Sequence, residues 1–470
     1  MQRTIRPVGS GVPRCVTVLV LAGALCASGQ TAPRATENDP FADLDARPAR
    51  KPPVAFTNDP FADLDAPRSP RPASPAPPGG TSRRLTDDVG KSFLQRFLDD
   101  GFAFKKEIML EVSRSSFAAR QPGATAEGLY SRQSVGFEIL KKFSTDTATV
   151  AAFDVQVRLV RRDNFHEVQN DAEGANRPGW ALEYHNLYWD FYNVLNPLLG
   201  DEARSDHTGR FNFRVGRFYL PFGLNLQTDT HGPILQLSNE RNFGFERDWY
   251  AGLWGSLNPH LNYDCYYLAG SGYDLAFPGQ QGLLGARLSL STKYLNEYGL
   301  EAGVSFLGGE RVSQHALDRS PSVAMSSRGR NIVETLRYGG DVRWQRPIPT
   351  GSVTLTAELS AGRDERDALF TQLYQADYLT RNRKFGATIQ HRRFQQDIRG
   401  NPAAAAPMGG MMSWNGGSTD ASVTGELTWY FRNDLGNANL RWLKLNLERA
   451  TESQRGRLDT TVTVQYYHYW

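Results

Sequence analysis

Cysteine is nearly absent, with 3 residues in a chain of 470. Cys15 and Cys26 fall in the N-terminal leader, so Cys265 stands alone downstream without a partner for an internal disulfide. There is no CxxCH haem-attachment motif and no paired-cysteine metal spacing, and the lone thiol reads as a small apolar wall residue. Long apolar runs are missing too. No segment approaches the roughly 18 consecutive apolar residues of a membrane helix, which excludes a helical membrane protein. Charge of one sign is also scarce: 53 Lys and Arg against 50 Asp and Glu give +3, the excess carried by Arg3, Arg6 and Arg14 in the leader. Without a basic field, nucleic acid is not an expected partner. Nor is there a nucleophile elbow, an HExxH pair or a Walker loop around any of the 8 histidines, so catalysis and cofactors are not expected.

The first 85 residues carry little that could pack. Residues 1–29 read as a secretory signal peptide, with three arginines, a short apolar run from Val16 to Leu25, and the small residues Ala27, Ser28 and Gly29 for cleavage. Leu25 before Cys26 makes a poor lipidation box. Residues 30–85 are rich in Pro, Ala, Arg and Asp and are expected to be a disordered arm with polyproline II character. Within it the nonapeptide NDPFADLDA, Asn38 to Ala46, recurs unchanged as Asn58 to Ala66. An apolar pair set among acids suits docking into a groove, and two copies would give avidity for a periplasmic partner; a plain duplicated tether fits equally well. Residues 86–101 read as a short helix or linker.

From Phe102 onward the chain alternates with a period of two. Phe153, Val155, Val157 and Leu159 alternate with Asp154, Gln156 and Arg158; Val353, Leu355, Ala357 and Leu359 with Thr354, Thr356, Glu358 and Ser360; Leu443, Leu445 and Leu447 with Lys444, Asn446 and Glu448. Such strands need an apolar medium on one face and water on the other. About sixteen are expected (14–18 are compatible): 102–112, 129–143, 147–160, 180–193, 209–219, 248–258, 260–270, 282–292, 297–308, 331–345, 351–363, 368–380, 384–396, 418–432, 438–450 and 457–470. Most are longer than the five or six residues usual for globular strands and match a tilted membrane strand of about nine to eleven. Links after odd strands tend to be long and those after even strands short, with 194–208 as an exception. A mean hydropathy of -0.49 does not oppose a membrane, because only alternate residues of a barrel face lipid.

The last strand sharpens the reading. Trp470, His468, Tyr466, Val464 and Val462 share one face, and Tyr469, Tyr467, Gln465, Thr463 and Thr461 the other. A terminal strand of this kind resembles the closing strand of bacterial outer-membrane β-barrels, which implies an all-β, antiparallel up-and-down barrel over 102–470 set in outer-membrane lipid. It further implies an assembly signal at Trp470, Tyr466 and Val464 for the barrel-assembly machinery, with His468 where a Tyr or Phe is usual. The stretch Val215 to Gly223, VGRFYLPFG, resembles the strand-to-loop region of porins related to the phosphate-selective group. That resemblance implies a diffusion channel, often trimeric, in which the link 220–247 folds back to narrow the pore, with Asp229, His231, Glu240, Arg241, Glu246 and Arg247 as constriction candidates. The lysine-rich lumen and arginine ladder of that group have no counterpart here. The period-two register instead aims Arg158, Arg214, Arg287, Arg337, Arg343 and Lys444 inward with Asp154, Asp341, Glu301, Glu358 and Glu448, a mixed lining suited to weak ion preference. Asp229 and His231 lack a third metal ligand. A second expectation is a scaffold barrel that anchors a periplasmic partner through 38–66 or sheathes a multihaem cytochrome.

Overall fold

In the computed structural model the described residues are 101–118, 128–144, 149–163, 179–195, 209–224, 243, 247–271, 282–312, 332–364, 367–397, 418–434, 439–452 and 458–470. The expected signal peptide 1–29, the expected arm 30–85 with its repeated nonapeptide, and 86–100 lie outside them.

Sixteen strands follow one another in chain order: β1 Phe102–Ala118, β2 Gly128–Ser144, β3 Thr149–Asp163, β4 Gly179–Phe191, β5 Asn212–Tyr219, β6 Arg247–Asn258, β7 Leu261–Leu268, β8 Gly282–Leu290, β9 Leu300–Val312, β10 Ile332–Ile348, β11 Gly351–Asp364, β12 Asp367–Thr380, β13 Phe385–Asp397, β14 Ser418–Asp434, β15 Asn439–Glu452 and β16 Leu458–Tyr469. Each pairs antiparallel with its sequence neighbours, and β1 pairs with β16, so the sheet is a closed barrel with no free edge. Closure leaves no row of unpaired backbone groups, the condition for standing in hydrocarbon. At the seam, Lys106 and Trp470 exchange both backbone hydrogen bonds, at 2.9 and 3.0 Å.

The two faces separate as a period of two requires. On β16, Tyr469, Tyr467, Gln465 and Thr463 are buried on the interior, while Val462, Val464 and Trp470 are exposed outside. Every strand contributes at least one large apolar side chain to the exposed set, among them Phe104, Val135, Leu159, Leu182, Val215, Leu284, Val304, Val342, Leu355, Ile389, Leu427 and Leu445. A soluble monomer rarely exposes contiguous apolar patches above a few hundred Å². At the rim of short turns the outward aromatics gather into a band. Phe143 stacks on Trp189 at 5.5 Å, Phe191 on Phe213 at 6.5 Å, Phe385 on Trp429 at 5.9 Å, and His468 on Trp470 at 4.3 Å. Cys265 is exposed, on β7 between Leu253 and Ala286 of its neighbours.

Several boundaries differ from the expected ones: β1 runs to Ala118 rather than 112 and β9 to Val312 rather than 308, and three further details bear on the connections. The turn expected at 293–296 is a helix, α1 Thr292–Tyr298, stopped by Gly299 in the left-handed region (φ 67°), where a Cβ would meet the Gln345 carbonyl. It shortens β8 to Leu290 and delays β9 to Leu300. β5 begins at Asn212 rather than 209. The link 192–211 is long on the short-turn side, as expected for the exception at 194–208, its ends tied by Val194 N–H to the Phe211 carbonyl at 2.8 Å and Asn193 N–H to Asn212 Oδ1 at 3.0 Å. Conversely β11 and β12 are joined by two residues, 365–366, on the long-link side.

Candidate functional site: the barrel interior

Strand alternation alone carries the charged positions inward, and each of the six cations expected there meets an acid. Arg214 on β5 faces Asp190 on β4 in a bidentate pair of 2.7 and 2.6 Å, its guanidinium lying over Phe218 (3.8 Å), Tyr188 (4.7 Å) and Trp254 (5.2 Å). Arg343 on β10 pairs with Glu301 directly opposite on β9. Lys444 on β15 lies 3.0 Å from Glu426 on β14. Arg337 reaches Asp364 at 2.8 Å, an acid shared with Arg311 at 2.8 Å and with the Thr335 hydroxyl.

The remaining two pairs span three strands by the same device. Arg158 on β3 reaches Glu107 on β1 across Gly136 of β2, and Arg287 on β8 reaches Asp341 on β10 across Gly303 of β9 at 2.8 Å. A Cβ at either glycine would collide with the Glu107 or Arg287 side chain, so glycine on the middle strand lets the charges meet over it. The Arg158 group continues to His185 at 3.3 Å and Glu183, with Tyr467 donating to Glu107 at 3.2 Å. Of the inward acids named from register, Asp154 accepts from Asn186 at 3.2 Å and Glu448 from Arg392 at 2.6 Å.

Glu358 has a different task. After β5 the chain turns inward. Leu224 N–H donates to Glu358 Oε1 on β11 at 2.7 Å, Gly223 N–H to Ser305 Oγ on β9 at 3.0 Å, and Tyr266 Oη on β7 to the Pro221 carbonyl at 3.0 Å. Arg287 donates to the Gly223 carbonyl while holding Asp341. Gly223 itself has φ 68°, a conformation glycine adopts without strain. The Phe222 ring lies over Gly339 of β10, where a Cβ would sit 2.8 Å from it. The returning end is held on the same wall: Arg311 donates to the Phe243 carbonyl at 2.9 Å, and the Phe243 and Phe222 rings meet edge-on at 5.3 Å. Both described ends of the link 220–246 therefore lie inside the barrel against β8 to β11. Together with Tyr188, Phe218, Tyr250, Tyr266, Leu268, Leu283 and Leu307 they form an apolar core on the inner wall.

Of the constriction candidates, Arg247 is buried at the start of β6, donating to the Tyr219 hydroxyl and lying over its ring at 4.1 Å. Asp229, His231, Glu240, Arg241 and Glu246 lie outside the described residues. Among the described residues no three His, Cys, Asp or Glu side chains come together as a metal site. The sequence reading missed Glu107, Asp190, Asp364 and Glu426 as partners and Phe222 and Gly223 as anchors. Inward parity marks the four acids, but only the cross-strand register reveals whom they meet.

No protein-family profile matches the chain, and no curated protein matches it. Solved structures do. OprB of Pseudomonas putida, in its high-pH structure, is similar with a TM-score of 0.52 at 10% identity, over 82% of this chain and 97% of that one. The outer membrane channel DcaP of Acinetobacter baumannii gives 0.48 at 10% identity, over 78% and 97%. OmpF of Salmonella typhi, in complex with daunomycin, gives 0.46 at 12% identity, over 78% and 97%. At such identity the likeness to OprB is one of fold: a sixteen-strand antiparallel barrel. The phosphate-selective subgroup stays a resemblance of sequence, carried by Val215 to Gly223 and the link that follows.

Proposed function

We propose that this chain is a porin-like channel of a bacterial outer membrane, passing small hydrophilic solutes or ions by diffusion. The observation that carries the reading is the inversion of a soluble core: a closed sheet with apolar side chains outside on every strand and charged ones inside. The aromatic band at the short-turn rim supports a membrane interface at that height. In this reading the short turns and both ends of 102–470 face the periplasm, and the arm 30–85 is periplasmic.

The passage is set by width and modest electrostatic bias. Because the inward cations sit on acids, the lining has little net field to sort ions strongly. The segment leaving β5 narrows the lumen from the β8 to β11 wall, and Asp229, His231, Glu240, Arg241 and Glu246 on its continuation, with Arg247 at its end, are the residues expected at the constriction. Trp470, Tyr466 and Val464 serve as the assembly signal, and the working unit is a homotrimer. The test is conductance of the refolded barrel in a planar bilayer. Discrete ohmic steps of weak ion preference are expected; a membrane that stays electrically silent after verified insertion would overturn the reading.

A further inference from the structure

On the outer surface of the short-turn rim, β14 carries a β-bulge. Tyr430 pairs with Trp442 of β15, but the next partner of β15, Arg441, pairs with Arg432, leaving Phe431 as the extra residue. Strict alternation would send Arg432 inward. The bulge re-aims it onto the outer face, directly opposite Arg441, and Arg441 in turn faces His468 on β16. Two guanidiniums placed opposite each other across a ladder repel, and no acid compensates them among the described residues. Arg441 makes only a contact over the Phe431 ring at 5.5 Å, and its buried Nε has no hydrogen-bond partner. A third cation, the exposed Lys106, lies on β1 beside Trp470. The flanking outward rings, Trp429 stacked on Phe431 at 5.1 Å and Trp470 on His468 at 4.3 Å, set the height at the aromatic band, where headgroups lie.

We propose that this face of β14 to β16, centred on Arg432 and Arg441, binds the phosphate headgroup of an anionic phospholipid in the leaflet on the short-turn side. The cations supply the charge complement, the exposed Arg432 and half-buried Arg441 present forked N–H donors to phosphate oxygens, and the aromatic pairs flank the acyl chains. The proposal rests on the membrane reading above, and the experiment separates the two. The full chain is inserted into vesicles of phosphatidylethanolamine with and without phosphatidylglycerol; channel conductance is recorded, and lipid retained on the detergent-extracted barrel is counted by native mass spectrometry. Phosphatidylglycerol is expected to be retained roughly tenfold over phosphatidylethanolamine. R432Q/R441Q, and R432Q alone should the double variant not fold, lose that preference with conductance unchanged, and R432K/R441K recovers part of it. Millimolar inorganic phosphate does not displace the lipid, and deletion of 30–85 leaves the preference intact. Equal retention of both lipids by a conducting wild type, preference surviving in R432Q/R441Q, displacement by inorganic phosphate, or loss on deleting the arm would each overturn the proposal; a wild type that inserts but does not conduct would count against the channel reading instead.

Discussion

Arg287 and Asp341 meet at 2.8 Å with side chains 1% and 0% exposed, on strands that are not neighbours, because Gly303 between them has no side chain to keep them apart. The same guanidinium holds the Gly223 carbonyl, so one buried ion pair fixes both the wall and the segment that enters the lumen. A buried charge losing its partner costs about 3–5 kcal/mol.

Asp341→Asn should therefore destabilise the barrel by about that amount, read as a lower urea midpoint in detergent. Replacing both partners, R287M/D341L, should recover most of the loss. If the single change left the midpoint where it was, the pair would not be holding the wall.

Gly339→Val places a side chain where Phe222 lies, at a would-be contact of 2.8 Å. The ring must leave, and the segment after β5 with it. Single-channel conductance should rise, and Phe222→Ala should raise it similarly. Unchanged conductance in both would show that this segment does not set the width.

Lys444 lies 3.0 Å from Glu426. Lys444→Gln leaves that carboxylate uncompensated in the lining, so the reversal potential in a salt gradient should move toward cation preference, and Glu426→Gln should move it the opposite way. Shifts of the same sign from both would contradict an electrostatic bias carried by this pair.

Val423 sits mid-strand on the outer face, six residues from Trp429 of the aromatic band, and is 37% exposed. On a water-facing surface Val423→Arg would be near neutral, but near the middle of a bilayer it should cost about 2–4 kcal/mol in lipid vesicles. Equilibrium unfolding in vesicles distinguishes these directly, and a neutral result would place water rather than hydrocarbon against β14.

The strands were legible because alternation is cheap to detect when it recurs sixteen times; on β16 the faces of Val464 and Tyr467 follow from counting by twos. The same counting aims Arg158, Arg287 and Lys444 inward. It does not say that Arg158 finds Glu107 two strands away, since that depends on the stagger between strands and on Gly136 being small. Inward Met109, Trp442 and Tyr467, packed on one another, are likewise hidden by a pattern that expects polar residues inside. α1 was missed because Thr292–Tyr298 is only 7 residues long, and its stop depends on the conformation of Gly299, not on hydropathy. The bulge at Phe431 is invisible to any periodic template, which it breaks by a single residue.

The paired backbones of Lys106 and Trp470 carry a kinetic consequence. Contacts along this seam join positions 360 residues apart, as Tyr467 and Glu107 do, whereas every other ladder joins consecutive strands. Loop closure over such a span forfeits the most chain entropy, while its ladder is no longer than the local one between β1 and β2. The ring should thus zip up locally as a curved ribbon and lock only when β1 and β16 find each other, so the slowest event in its formation belongs to the first and last strands.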